Sequence, residues 1–412
     1  MRQARTIIIT AIIVMAAGCA TQARQARQAP PAAATLTGEQ ATVRELQQKA
    51  LAGDATGLLF WSQSERRVAF KRMADLGSSR SIRAAGSPYP LVDRPKDLSS
   101  VRYQIDGRTY TLADFFAMPA QIGFIVVQDG NVLLERYAQG NDRDSVWISF
   151  SVTKSVTSLL IGAAINDGFI ESVDEPVSYY LPRLRGTGYE NVSIREVLQM
   201  ASGVAWNEDY GDPESDVARA GGATGLPLVS YLGTLERAHP PGAVFNYNTG
   251  ETNLAGEILR AAIGNNAATY LTHKIWQPFG MESDASWVIG GPGGGETGGC
   301  CISATLRDYA RLGLFAMNEG LLPDGTRVLP EGWMTASTSP SSGYEGYGYL
   351  WWLAGARGYS ARGIFGQRIQ IDPGARTVIA AHGNAKAAVG TDYHRHLDGA
   401  VRAVQEYLRA IH

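Results

Sequence analysis

From Trp147 to Asn166 apolar residues recur near helical spacing, at Val152, Val156, Leu159, Leu160, Ala163 and Ala164, and Gly168 follows as a stop. The pattern predicts a buried helix over this stretch, with Lys154 as its only charge. Further helical stretches run from Glu251 to Ile263 and from about Tyr393 to Ile411. The segment Gly123 to Tyr137 reads as a hairpin around Asp129 and Gly130. An alternating run from Arg368 to Ile371 leads into an Asp372, Pro373, Gly374 turn, within a strand region from Tyr347 to Ala381. No internal repeat is visible.

The N-terminus follows a different pattern. Arg2 and Arg5 precede an apolar run, Thr6 to Ala17, and then Gly18 and Cys19. The run is too short for a membrane span and predicts a secretory signal over residues 1–19. Ala16, Ala17, Gly18 and Cys19 resemble a bacterial lipoprotein cleavage box, with Ala16 where leucine is usual. That likeness implies a lipid on Cys19; a plain secretory signal is the alternative. Ala20 is not the aspartate that often marks inner-membrane retention, so the expected location is periplasmic, with an outer-membrane anchor. Residues 20–36, rich in Ala, Gln, Arg and Pro, lack apolar periodicity and read as a flexible tether.

Composition narrows the function. Of 412 residues 45% are apolar, and the net charge is −2 with no basic cluster, which suits a globular enzyme and argues against nucleic acid as a partner. The expected partner is a small molecule, with membrane contact only through the lipid. Six scattered histidines, His394 and His396 among them, make no metal constellation. Neither a GxSxG elbow nor a GxxxxGK[ST] loop is present, and Gly290 to Gly299 reads as a loop. No cofactor is expected. The adjacent Cys300 and Cys301 read as buried small residues, with a strained vicinal disulfide as the alternative.

Lys154 is one of six lysines and stands three residues after Ser151. Residues three apart share a helical face, so its ammonium is expected within reach of the Ser151 hydroxyl. Burial would lower the lysine pKa and make a neutral amine accessible. A serine hydroxyl is a poor nucleophile until its proton is taken, and a desolvated lysine is one of few groups able to help. Ser151 in the first turn would also aim free N–H groups at a developing anion. A lysine snorkelling from an amphipathic helix is the bland alternative.

Ser151 to Lys154 are followed by Asp174, Glu175, Pro176, Val177, then by Tyr180, Leu181, Pro182, and later by IREVLQMASG from Ile194 to Gly203. This ordered series resembles the SxxK, DxPV, YLP and IRxLLxMxSG segments of the serine β-lactamase and penicillin-binding-protein superfamily. The likeness covers most of the chain after about Trp61. It implies a mixed α/β, β-lactamase/transpeptidase-like fold: a central antiparallel sheet flanked by helices from residues 37–166 plus 287–412, and a mostly helical insert over 167–286. The site would lie at the seam. It also implies Ser151 as nucleophile and Lys154 as its helper. Tyr247 would take and return the serine proton, its phenolate favoured beside the ammonium. Asn248 and Thr249 become substrate-binding candidates, Thr249 standing where class C β-lactamases carry asparagine.

The superfamily's third motif, Lys-Thr-Gly or His-Thr-Gly on a cleft strand, aligns with Ala361, Arg362 and Gly363. Side chains alternate along a strand, so Arg362 is expected to point away from the side shared by Ala361 and Gly363, leaving no carboxylate-binding cation. Gly363 would let backbone approach the substrate, and the Ile364 and Ser151 amides would form an oxyanion hole. Trp351 and Trp352 are candidate pocket walls. Gly203 to Tyr210 resembles the SGVxWxEDY loop, and Gly363 to Gln367 the GIFGQ, of the branch containing 6-aminohexanoate-dimer hydrolase and related carboxylesterases. In that branch a loop tyrosine closes over substrate, implying Tyr210, and an acidic residue holds the substrate's amino group. Asp212, Glu214 and Asp216 are possible counterparts, and Gly221 competes for the same place. The expected activity is hydrolysis of small esters or amides through an acyl-enzyme. A β-lactamase or D-alanyl-D-alanine carboxypeptidase, and a non-catalytic β-lactam- or wall-fragment-binding lipoprotein, are the alternatives.

Overall fold

Asp129 and Gly130 both take positive φ (49° and 76°), the primed turn geometry whose twist suits a two-residue hairpin. In the computed structural model, which describes residues 38–51 and 57–411, this turn joins Gln121–Gln128 to Asn131–Tyr137. The signal segment, the tether and Cys19 lie outside the described residues. The hairpin belongs to a seven-stranded sheet ordered Trp352–Leu353, Tyr359–Gly363, Gln367–Asp372, Thr377–Gly383, Gln121–Gln128, Asn131–Tyr137 and Val92–Asp93. Every pairing is antiparallel except that of the short Val92–Asp93 edge.

Helices cover both faces of this sheet, and the alternation of strand side chains divides the core between them. Ile125, Val127, Val378 and Ala380 pack into one cluster with Leu159 and Leu160 of the Val152–Asn166 helix and Leu312 of the Leu306–Met317 helix. Phe124, Val126, Ile379 and Ala381 face the other way, onto Leu397, Val401 and Val404 of the terminal Asp392–Ala410 helix. Two buried faces explain why Thr377–Gly383 is buried throughout. The fold is therefore the mixed α/β architecture expected, with an antiparallel sheet between helices.

A second, four-stranded antiparallel sheet runs Ser79–Ile82, Ala285–Val288, Ile302–Thr305, Val146–Ile148. It corrects the start of the helix expected from Trp147. Trp147 and Ile148 are strand residues opposite Ala304 and Ser303, and the helix begins at Val152. A short buried strand and a buried helix both read as an apolar run. Only the break at Phe150, with φ of 44°, separates them. Between that helix and Ala285 the described residues form helices and loops but no named strand. Leu254 and Ile258 of the Thr249–Ile263 helix share a core cluster with Leu159, and residues from Gly38 onward form one compact unit.

The Gln63–Lys71 helix, started by a reciprocal Ser62–Glu65 capping box, carries the fully buried Phe70. Its ring meets Trp147 edge-on at 5.7 Å, Phe150 at 4.9 Å and Phe365 at 5.4 Å. Phe70→Ala is expected to destabilise the protein by roughly 3–5 kcal/mol, the range for a deleted core phenylalanine. Equilibrium urea unfolding measures it, and a change below about 1 kcal/mol would mean that the cluster closes over the gap.

Candidate active site

Ser151 stands at the junction of the second sheet and the Val152–Asn166 helix, as the helix N-cap. The strand delivers Ile148, and Phe150 turns the chain through a left-handed conformation that a non-glycine residue holds only when its surroundings compel it. The Phe150 ring packs on Phe70 and, at 5.3 Å, on Phe365, which is itself left-handed (φ 63°) just after Ile364. One aromatic cluster thus pins the turns beside both expected oxyanion amides. Gly363 completes the approach: a Cβ there would lie 2.4 Å from the Ser149 carbonyl oxygen, so only glycine lets the cleft strand come this close. Among the described residues, neither the Ser151 nor the Ile364 amide donates to a turn or loop carbonyl.

Lys154 is buried, and burial pushes its ammonium down to about 8 against the pull of the Glu208 carboxylate. Its Nζ donates to Thr249 Oγ1 (2.9 Å) and to the Gly299 carbonyl (3.1 Å) and lies 5.4 Å from the centre of the Tyr247 ring. A Cβ at Gly299 would sit 2.9 Å from Nζ and displace it. Tyr247 stacks on Trp352 at 5.6 Å and lines the same arm of the cleft as Ser151, whose hydroxyl acts on its phenol. Its phenol corrects an expectation: burial raises it above its ordinary value, the Glu208 charge adds to that, and only the Ser151 hydrogen bond opposes. The lysine nitrogen lies over the ring, so a resting phenolate is not favoured. The group poised near neutrality is the lysine.

Glu208 is the residue that sequence reasoning left without a role. It accepts from Trp206 Nε1, the Tyr210 hydroxyl (2.6 Å), the Thr249 amide (2.9 Å) and Thr249 Oγ1. Lys154, Thr249 and Glu208 therefore form one proton-linked chain. A signal was present, since Trp206, Glu208 and Tyr210 alternate and an extended segment would set all three on one side.

The cleft divides at Ser151 into two arms. One, of about 280 Å³, is walled by Leu58, Leu59, Met73, Val217, Val288 and the Cys300–Cys301 pair, which is joined as a vicinal disulfide rather than left as two free thiols. The other, of about 530 Å³, is walled by Glu208, Tyr247, Trp352, Arg362, Gly363 and His394. Tyr210, Ser151 and Ile364 border both. Of the substrate-binding candidates, Tyr210, Thr249, Gly363 and Trp352 line the cleft. Asn248 and Trp351 do not. Asn248 is buried and caps the Thr249–Ile263 helix through the Glu251 amide, while Trp351 is buried against Tyr359. Asp212, Glu214 and Asp216 are absent from both walls. Asp216 accepts from the Asn207 amide and Tyr231, Glu214 pairs with Arg219, and Asp212 accepts from the Glu214 amide. Gly221 does line the smaller arm. Arg362 corrects the expected lack of a cation: it faces away from the buried Ala361, but that face is the cleft.

A model of the Beta-lactamase family matches residues 120–401. The 6-aminohexanoate-dimer hydrolase of Paenarthrobacter ureafaciens is 31% identical over 358 residues, 80% of this chain and 88% of that protein. Penicillin-binding protein 4 of Amycolatopsis lactamdurans is 23% identical over 310 residues, 64% of this chain and 78% of that one. Among solved structures, a candidate 6-aminohexanoate-dimer hydrolase from Bacillus anthracis has a TM-score of 0.73 at 21% identity, over 84% of this chain and 95% of that one. A family VIII carboxylesterase gives 0.54 at 17% identity, over 69% and 93%. At these identities the structural likeness concerns the fold.

In the first turn of the Thr249–Ile263 helix lies a buried carboxyl, Glu251, which accepts from Ser202 Oγ while its other oxygen has no partner among the described residues. Burial pushes it up to about 8, the Ser202 hydrogen bond opposing and the Glu196 charge adding. The folded state thus keeps a proton that an ordinary carboxyl gives up near 4.5. Its contribution to stability is full below pH 4.5 and lost as pH rises to about 8. Relative to Glu251→Gln, the wild type is expected to lose stability between pH 5 and 8 in urea unfolding. Parallel profiles would show Glu251 to be ionised in the folded protein.

Proposed function

The chain belongs to the β-lactamase family, and from that footing we propose that it is a serine hydrolase which forms an acyl-enzyme on Ser151 and cleaves small esters or amides. The observation that carries this reading is a single cluster: Ser151 at the fork of the cleft, Tyr247 on the wall of the same arm, and Lys154 held near a neutral amine. Ser151 Oγ attacks the carbonyl carbon while its proton passes to Tyr247, as the phenol proton moves toward the lysine amine. The Ser151 and Ile364 amides receive the oxyanion, and a positioned donor of this kind is worth roughly 3–4 kcal/mol. The tetrahedral adduct expels the leaving group, which takes the proton back, and water then attacks the acyl carbon to free Ser151. The Glu208 carboxylate, already filled by its donors, holds Thr249 against Lys154 rather than competing as a base.

The homology with 6-aminohexanoate-dimer hydrolase supports this reading over β-lactam hydrolysis. Export through residues 1–19 with a lipid on Cys19 belongs to the same reading and rests on the sequence. Palmitate labelling that disappears in Cys19→Ser tests it, and unchanged labelling would refute it.

The catalytic proposal is tested on the mature protein with a fluorophosphonate, by intact mass. One adduct is expected on the wild type and none on Ser151→Ala. Lys154→Ala and Tyr247→Phe should each lower hydrolysis of p-nitrophenyl butyrate by roughly 10²–10⁴-fold, the usual worth of a positioned acid–base group. In the wild type kcat/KM should rise with pH through about 8 as Lys154 loses its proton, and Glu208→Gln should move that limb to lower pH by removing the carboxylate that favours the ammonium. An adduct that survives in Ser151→Ala would sink the assignment.

A further inference from the structure

The glycine-rich run Gly290 to Gly299 ends against the lysine of the active site. Glycine gives such a loop no side chain to anchor it, so its peptide planes stay in place only where hydrogen bonds fasten them. Two bonds fasten the plane between Gly298 and Gly299: the Gly298 carbonyl accepts from Thr157 Oγ1 (2.7 Å), and the Gly299 N–H donates to Asn253 Oδ1 (2.8 Å). The next plane holds the Gly299 carbonyl 3.1 Å from Lys154 Nζ, while its Cys300 N–H donates to the Thr297 carbonyl (3.2 Å). Asn253 is buried, and its Nδ2 donates to the Gly221 carbonyl (3.0 Å). The orientation of its amide is thereby set, because Gly221 presents an acceptor and Gly299 a donor.

Asn253 stands one helical turn after Thr249, and both reach Gly299 from one face of the Thr249–Ile263 helix. That face supplies two acceptors to the lysine, Thr249 Oγ1 directly at 2.9 Å and the Gly299 carbonyl by way of Asn253. Thr249 can only accept from Lys154, since its own hydroxyl proton goes to Glu208. A neutral amine has two N–H bonds and one lone pair. With both N–H bonds drawn to fixed acceptors, the lone pair is left a single tetrahedral direction. A Gly299 carbonyl free to swing would let the amine turn about Cε–Nζ with one bond still made, and the lone pair would lose its aim. Of the titratable groups around Lys154, Glu208 acts on it through its charge and Tyr247 faces it at 5.4 Å, while Asn253 and Gly299 add no charge.

We propose that Asn253 is a positioning residue: by holding the Gly299 peptide it fixes the second acceptor of Lys154, and with it the direction from which the lysine nitrogen takes the proton that leaves Ser151 by way of Tyr247. This deepens the hydrolase reading and rests on it for the effect on turnover, but not for the effect on the lysine itself.

The test cuts both hydrogen bonds with a side chain of nearly the same shape, Asn253→Leu. In hydrolysis of p-nitrophenyl butyrate kcat should fall roughly tenfold to a hundredfold, the scale of a slightly misplaced catalytic group, with a smaller change in KM. The limb of kcat/KM that rises through about 8 should move to lower pH, because an ammonium loses more than an amine when a carbonyl is withdrawn. A loss of folded enzyme alone would lower the rate and leave the limb in place. Asn253→Asp keeps the oxygen that takes the Gly299 N–H, so it should recover most of kcat, and its buried carboxylate should carry the limb the other way, to higher pH. Where the leucine variant does not fold, Asn253→Ala makes the same cut. An unmoved limb in Asn253→Leu, or an aspartate variant that falls as far as the leucine one and shares its limb, would overturn the proposal. Lys154 is also followed without turnover, by NMR titration of protein labelled with ¹³C-lysine, its signal among six being the one lost in Lys154→Arg. A Lys154 titration moved to lower pH in Asn253→Leu, with no hydrolysis by the wild type, would refute the hydrolase reading and uphold the positioning; hydrolysis by the wild type with an unmoved Lys154 titration would do the reverse.

Discussion

Everything at this site depends on two turns being held against each other. Phe150 and Phe365 each occupy a left-handed conformation that costs a non-glycine residue on the order of 1–3 kcal/mol. They persist because their rings and that of Phe70 form one cluster, with the Arg66 guanidinium 4.3 Å from the Phe365 centroid as its cover. The two turns come from opposite ends of the chain. One presents Ser151 and the other Ile364, and the missing side chain of Gly363 lets them close to contact. Dispersion and burial among three rings thus supply the energy that positions a pair of backbone amides.

The second constraint is electrostatic. Burying a lysine is costly, and the protein meets the cost in part by lowering its proton affinity and in part by a carboxylate held two hydrogen bonds away through Thr249. Glu208 accepts from four donors and so holds Thr249 against the lysine. The same carboxylate raises the Tyr247 phenol, so lysine and tyrosine are pushed in the directions that let a proton pass between them during the reaction and not before it.

The cleft then inherits an asymmetry from the fold. Its apolar arm is built where the second sheet and the Gly57–Phe60 segment meet, from residues such as Leu58, Val288 and the joined cysteines. Its polar arm is built at the end of the large sheet and the start of the terminal helix, where Arg362, Arg368, His394 and Asp398 gather. A substrate spanning Ser151 meets two different solvents.

The chain by itself singled out Ser151 and Lys154, because their spacing is a property of one helix turn, and it determined the hairpin, because Asp-Gly between alternating strands has one favoured geometry. The order of its motifs also revealed the family. Tertiary structure decided what local pattern could not. Trp147 reads as helix until a partner strand at Ser303 and Ala304 claims it. Asn248 and Trp351 have the right neighbours in sequence but are turned into the core, whereas Arg362 is turned to the cleft, because strand alternation says that two faces differ and not which one a cavity will border. Glu208 acquired its role only when the folded chain brought Thr249, forty-one residues on, to its carboxylate. Such contacts depend on how distant segments pack, and no short window of sequence contains both partners.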